Sequence, residues 1–271
     1  MNNVKVALTV VSITFIALLS IGQSNAAVDV KDATVIWLFD EGKGDTVADF
    51  SGNGNDGTIS GSPKWVDGKF GKALELKTQD KISSSTANGV EPTYISETLW
   101  IKFNDFSTEN QFGYISCSGT ASARFFYFSS WVGGGPHSGI HLGTINPAGA
   151  WGRGIAVPAG VFKKGQWYHV AGVINNETGT TRAYVDGKMR HEQKFATGDT
   201  PGTPTGIYAG GTPENYQWVQ GIVDEIAFFK VALTEDDINA IMDKGLKASF
   251  DVDLRDKLAT TWGDIKRALK L

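Results

Sequence analysis

The sequence predicts an all-β domain, a sandwich or barrel of short antiparallel strands. Short alternating segments separated by turn residues run through most of the chain. The 271 residues include 33 glycines and eight tryptophans, a composition suited to many tight turns around an aromatic-rich body. No strand-helix-strand spacing recurs, which argues against a parallel sheet.

The chain opens with a segment outside that domain. Lys5 stands in a short polar start, residues 6–21 form an apolar run, and Ser24, Asn25 and Ala26 place small residues where a signal peptidase cuts. Cleavage after Ala26 is expected, giving a secreted, periplasmic or cell-surface protein with no membrane span in its mature form. An uncleaved anchor is the competing reading, because the run falls just short of the roughly 18 to 20 apolar residues a span requires. Gln23, Ser24 and Asn25 follow the run at once and favour cleavage. Residues 27–250 are then one large β-domain and residues 251–271 a tail.

Within the domain, the clearer strand candidates are 73–76, 97–103, 124–129, 167–174, 181–185 and 222–229, with Gly- and Asn-rich clusters at 133–136, 175–179 and 198–206 between them. Asp186 and Gly187 tolerate the positive φ of a tight hairpin turn, so a hairpin is expected there. Alternation puts Trp167, His169 and Ala171 on one face and Tyr168, Val170 and Gly172 on the other. A short helix should start at Thr234, a good N-cap followed by Glu235, Asp236 and Asp237. Its apolar face is Ile238, Ile241 and Met242, and Gly245 is its stop. In the tail, Leu254, Leu258, Trp262, Ile265 and Leu269 recur at near-helical spacing, interrupted by Gly263. The tail either packs on the domain or offers an amphipathic contact to a protein partner.

Charge and cysteine content narrow the function. A net charge of −4 with no basic cluster leaves no footprint for nucleic acid. The single cysteine, Cys117, cannot form an internal disulfide, so the core must hold an exported domain together. Cys117 itself is expected to be a small buried apolar residue.

Four stretches carry a family resemblance: WLFDEGKGDTVADFSGNGNDGTISG from Trp37, WVDGKFGKALEL from Trp65, GQWYHVAGVINNETGTTRAYVDGK from Gly165, and GIVDEIAFFKVALTEDDI from Gly221. Together they resemble the laminin-G-like, concanavalin A-like jellyroll domains of secreted bacterial proteins over roughly residues 34 to 246. The tail wording KLATTWGDIK is similar to a recurrent ending of such domains. The resemblance implies an antiparallel jellyroll β-sandwich with short C-terminal helices. It also implies an exported recognition function, the binding of carbohydrate or a glycosylated or matrix partner.

The segment 49–57 is the best candidate for a metal site, because its closely spaced oxygens on a glycine-bent backbone suit Ca²⁺. It is not an EF-hand, since Ser60 stands where the bidentate Glu belongs. In jellyroll domains of this type the first-strand loop and an acidic residue on a late strand commonly meet at a structural Ca²⁺. That resemblance implicates Asp49, Asn53 and Asn55, joined by Asp224. The competing reading is a metal-free loop whose side chains bond turn amides.

Catalysis has little support. Asp224 and Glu225 are adjacent, and neighbours on a strand point to opposite faces, so they are not expected to flank one glycosidic bond. His137, His141, His169 and His191 lack metal-protease spacing, and His169 is expected to play a structural, hydrogen-bonding role. No GxSxG elbow, phosphate-cradling loop or Cys-His pair occurs. For ligand binding, Trp131, His137, Trp151, Arg153, Tyr216 and Trp218 fall in irregular stretches where aromatics can stack on sugar rings. The expected function is therefore non-catalytic recognition. A cell-surface assembly protein is the alternative, and a polysaccharide-active enzyme is the weakest reading.

Overall fold

A computed structural model describes residues 28–91, 93–105, 113–119, 124–129, 139–145, 151–157, 160–196, 203–211 and 218–250. The signal segment and the 251–271 tail lie outside the described residues. Seven strands come early: β1 (Ala33–Trp37), β2 (Thr46–Val47), β3 (Gly57–Ser60), β4 (Lys64–Asp67), β5 (Lys72–Leu76), β6 (Lys81–Ser84) and β7 (Tyr94–Phe103). Then follow β8 (Gly113–Gly119), β9 (Arg124–Ser129), β10 (Ile140–Ile145), β11 (Trp151–Val157) and β12 (Trp167–Asn175). The chain continues through β13 (Thr180–Val185), β14 (Lys188–Lys194), β15 (Pro204–Ala209), β16 (Gly221–Phe229) and helix α1 (Glu235–Lys244).

Two eight-stranded sheets result. The first runs β14-β13-β12-β7-β16-β5-β4, with β1 also paired to β16, and the second runs β11-β10-β9-β8-β15-β6-β3-β2. Every ladder described is antiparallel. One edge of β16 is shared: its start pairs with β5 at Gly221 to Val223, and its end pairs with β1 at Ile226 to Phe229. The fold is the expected antiparallel sandwich, with helix confined to the C-terminal end.

The sheets enclose a core to which β1 gives Val35 and Trp37, β7 gives Ile95, Leu99, Ile101 and Phe103, and the second sheet gives Ile82, Cys117, Leu142 and Ile207. A second apolar layer covers the outer face of the first sheet. There Ile238, Ile241, Leu246 and Phe250 pack on Ile36, Leu38, Ala171, Val173 and Phe229. The fully buried pattern of β1 follows from these two layers, because alternate side chains enter each of them. Each large aliphatic or aromatic side chain so removed from water contributes about 1.5–3 kcal/mol.

Helix α1 follows its sequence signals. Thr234 accepts from the Asp237 amide while the Asp237 carboxyl accepts from the Thr234 amide, and Gly245 ends the helix at φ 79°. A second helical turn occupies 246–250. The Asp186-Gly187 hairpin forms as expected: Val185 pairs with Lys188, and both turn residues have positive φ, 49° and 70°. Asp186 also ties the turn to β12, its Oδ1 accepting from the His169 amide at 3.0 Å and its own amide donating to the His169 carbonyl at 2.8 Å. At the opposite extreme, every residue of β14 is exposed. Its Lys188, Arg190 and Lys194 put charge on a sheet edge that would otherwise invite pairing with other chains.

Candidate functional site

Three polar regions stand out on the fold, the first being the 49–57 loop. Asp49, Asn53 and Asn55, expected to hold a metal, lie in one loop whose polar atoms are engaged by the chain itself. Asp49 Oδ1 accepts from the amides of Ile36 and Ser51 at 3.0 Å each and from Ser51 Oγ at 2.6 Å, and Oδ2 accepts from the Asn55 amide at 3.0 Å. Asn53 Nδ2 donates to the carbonyls of Ala33 and Thr34. Asn55, fully buried, donates to the carbonyls of Thr34 and Asn88, while its Oδ1 accepts from Thr86 Oγ1 and the Asn88 amide at 2.9 Å each. The loop is thus a clasp on β1.

Asp224 belongs elsewhere. Its Oδ2 accepts from the amides of Lys69 and Phe70 at 2.8 and 3.0 Å, beneath the turn joining β4 to β5. A Cβ at Gly68 would stand 2.5 Å from that oxygen, so the glycine admits the carboxyl. Ca²⁺ requires six to eight oxygens converging on one point. Here two carboxamides present N–H groups to carbonyls, the Asp49 oxygens face donors, and Asp224 holds a different turn. The ligand set carried over by resemblance does not fit the ion as arranged. Among the described residues, no group of three or more His, Cys, Asp or Glu side chains is disposed to hold a metal.

The second region corrects the expectation for Asp224 and Glu225. A β-bulge interrupts the β16 ladder to β7 between Asp224 and Ala227, and Glu225 has φ 51°. Val223 and Ile226 both enter the core between the sheets, so the two acids between them share the outer face rather than opposing each other. Asp224 meets the 69–70 amides, and Glu225 Oε2 accepts from the Leu246 amide where α1 ends. Desolvation by burial pushes the Asp224 carboxyl up to about 8 and the Glu225 carboxyl up to about 7, with each further raised by a neighbouring acid, Glu225 and Asp40 respectively. Beside the pair on the same face, His169 packs on Trp100 at 5.3 Å, and Lys69 Nζ stands 4.2 Å over the Trp100 ring. The expected hydrogen-bonding role of His169 is not what is found: both ring nitrogens are buried without a partner. Burial, and then the Lys69 charge, push its pKa down to about 3, so the ring is neutral and serves as a packing surface.

The third region is a pocket of about 260 Å³ at the β4–β5 end of the first sheet. Its framework is Asp80, 1% exposed, whose Oδ1 accepts from the Ser62 amide at 2.7 Å and whose Oδ2 accepts from the Lys77 amide at 3.0 Å. Asn104 Nδ2 donates to Glu75 Oε1 at 2.7 Å, and the amides of Asn104 and Asp105 both donate to the Gln220 carbonyl. Buried Leu76 gives the pocket an apolar patch, and Lys64, Lys77 and Gln220 complete it. Sequence reasoning missed this site, because its residues come from five separated segments and share no local motif.

Of the aromatics proposed for ligand binding, Trp131, His137 and Tyr216 lie outside the described residues. Trp151 and Arg153 fall on β11, an edge strand of the second sheet. Trp218 is half-buried and forms an isolated bridge with Gly211. Beside that bridge the Val219 amide donates to the Gly210 carbonyl at 2.7 Å, and a Cβ at Gly210 would overlap Leu76 and stand 3.5 Å from the Asp80 carbonyl. Trp218 is therefore carried by backbone beside Leu76 and Asp80, two of the residues that line the pocket.

Architecture and topology define the scaffold as a concanavalin A-like jellyroll sandwich. The chain belongs to the Laminin_G_3 family of the concanavalin A-like lectin/glucanase superfamily, whose model matches residues 76–239. No curated protein sequence matches the chain. Among solved structures it is similar to domain 4 of AbnA, an extracellular GH43 arabinanase from Geobacillus stearothermophilus in complex with arabinotriose. That match has 21% identity and a TM-score of 0.58, and covers 78% of this chain and 98% of that one. It is also similar to the botulinum neurotoxin serotype D binding domain, with 16% identity, a TM-score of 0.60, and coverage of 79% of this chain and 52% of that one. The binding domain of botulinum neurotoxin DC in complex with rat synaptotagmin II matches at 13% identity and TM-score 0.61, over 80% of this chain and 52% of that one. The chain spans about half the length of these toxin domains.

Proposed function

We propose that this protein is an exported, non-catalytic module that binds carbohydrate or a glycosylated partner. The observation that carries the reading is the small polar pocket, held open by a hydrogen-bonded frame, on a concanavalin A-like sandwich. Similarity to an arabinanase domain solved with arabinotriose supports it. Export rests on Lys5, the apolar run 6–21 and the small residues up to Ala26. Against catalysis, the carboxyl pair on β16 serves the framework, with Asp224 holding the 69–70 turn and Glu225 holding the start of the 246–250 turn. The reading needs no metal, because donors of the chain itself hold the 49–55 loop.

A glycan-array screen of the secreted chain, with and without chelator, tests it. Binding confined to one glycan class, unchanged by chelator and without release of sugar products, is the expected result. Silence from a folded sample overturns the reading in favour of a protein-binding or assembly role.

A further inference from the structure

We infer that the pocket framed by Asp80 binds one residue of a neutral oligosaccharide, with Trp218 as the stacking surface at its rim. The assignment rests on the carbohydrate-binding reading above and adds to it a location, a charge class and the residues that make contact.

Size is the first argument. At about 260 Å³ the cavity falls below the roughly 300–1,000 Å³ of pockets that enclose drug-sized ligands, so it suits a single small ring rather than an extended or bulky one. Its chemistry is the second. A sugar hydroxyl donates and accepts at once, and so requires both kinds of partner within a small space. Glu75 supplies an acceptor, Lys64 and Lys77 supply donors, and the carboxamides of Asn104 and Gln220 supply both. A pocket for an aliphatic ligand would not gather these groups, and unpaired polar groups here would penalise one.

Charge decides between classes of glycan. Lys64 and Lys77 carry two positive charges, and Glu75 and Asp80 carry two negative ones, so the cavity is balanced and favours neither a uronate or sulfated sugar nor an amine. Lys188, Arg190 and Lys194 lie on β14, at the far end of the sheet from β4.

Preorganisation is the third argument. Asp80 fixes the backbone on both sides of the opening through two amides from different loops. Glu75 fixes Asn104, and the Gln220 carbonyl is held by two further amides. Little ordering remains to oppose binding. Alternation then brings in the aromatic. Val219 is fully buried in the core, whereas Trp218 and Gln220 on either side of it are half-buried, so the two share the outward side of this extended stretch. On this proposal the Trp218 indole, two positions from Gln220, meets the apolar face of a ring seated against Gln220.

The test is titration calorimetry of the purified secreted chain with short arabino-, xylo-, gluco- and galacto-oligosaccharides, alongside polygalacturonate and heparin fragments. Gln220→Ala, Lys77→Ala and Trp218→Ala should each weaken binding of a neutral oligosaccharide by roughly tenfold or more, the loss of about one good contact. Lys188→Ala on β14 should leave affinity unchanged. Melting temperatures of the variants establish that each is folded, and exposed Lys77 provides a substitution with no buried contact to lose. If a neutral oligosaccharide binds wild type and pocket variants alike, the location is wrong while carbohydrate binding stands. If only the anionic fragments bind, with steep salt dependence, the ligand class is wrong. If nothing binds a folded wild type, the carbohydrate reading itself fails and takes the assignment with it.

Discussion

Glu97 and Gly172 face each other across the β7–β12 ladder, and the Glu97 carboxyl occupies the space that a side chain at 172 would need. A Cβ there would stand 2.9 Å from Glu97 Oε1 and 2.8 Å from Leu142 Cδ2 on the opposing sheet. Ile95 and Leu99, the neighbours of Glu97 on that face, belong to the core between the sheets. The carboxyl is fully buried, neither oxygen has a hydrogen-bond partner, and burial holds its pKa well above the ordinary carboxylate range.

Replacing this acid should stabilise the protein. Glu97→Met removes an unpaired buried polar group at nearly constant volume and should add about 1–3 kcal/mol in urea unfolding. Gly172→Ala should cost about 1–3 kcal/mol by overpacking. A Glu97→Met variant less stable than wild type would show that the carboxyl has a partner it is losing.

Stability should fall as pH rises from near neutral to mildly alkaline. Asp224 and Glu225 have ordinary values of 3.8 and 4.5, raised in the fold to about 8 and about 7. Between those limits the two acids bind more protons in the folded chain than in the unfolded one and make the slope of unfolding free energy with pH negative. His169 and His141, lowered by burial, oppose them below the ordinary histidine value of 6.5, so the negative slope stands out above it. The acids' contribution is fully present below the unfolded values and is lost as pH rises through the folded ones. Melting curves across this range check the sign, and Asp224→Asn should flatten the upper part.

Position 187 of the hairpin turn should be intolerant of any side chain. Gly187 has φ 70°, and a Cβ there would overlap Asn239 on α1. Gly187→Ala should cost more than about 1 kcal/mol, from backbone strain and the clash together. Adding Asn239→Ala should recover only the steric part, which a double-mutant cycle in denaturant measures.

Chelation should leave the melting temperature unchanged, whereas Asp49→Ala should lower stability by about 3 kcal/mol, since four donors lose one carboxylate. A calcium-dependent rise in melting temperature that Asp49→Ala abolishes would reverse this view of the loop.

What the sequence disclosed follows from burial. β7, β12, β13 and β16 are rich in β-branched and aromatic residues and lie in the middle of a sheet, so their segments were recognisable to within a few residues at each end. β14, exposed throughout and rich in charge, lacks the alternation that marks a strand, and β2 is two residues long. For the sites, the grouping of Asp49, Asn53 and Asn55 was legible because loop polar residues cluster by sequence proximity. The shared face of Asp224 and Glu225 was not, because one residue inserted in a ladder reverses the parity on which alternation depends. The Asp80 pocket was also hidden, since only the pairing of distant strands assembles it.

The pairing of β1 with β16 has a consequence for how the molecule comes into being. Thr34 Oγ1 bonds the Phe228 carbonyl across 194 positions, so the first strand joins its sheet through the last. A chain delivered N-terminus first cannot complete this sheet while any of it is still being synthesised or threaded through a pore. β1, β5 and β7 all wait for the strand that lies between them, and closure of so long a loop slows the search. The domain is thereby kept pliable until its final strand arrives, and truncation a few residues short of Phe229 should leave it unable to mature.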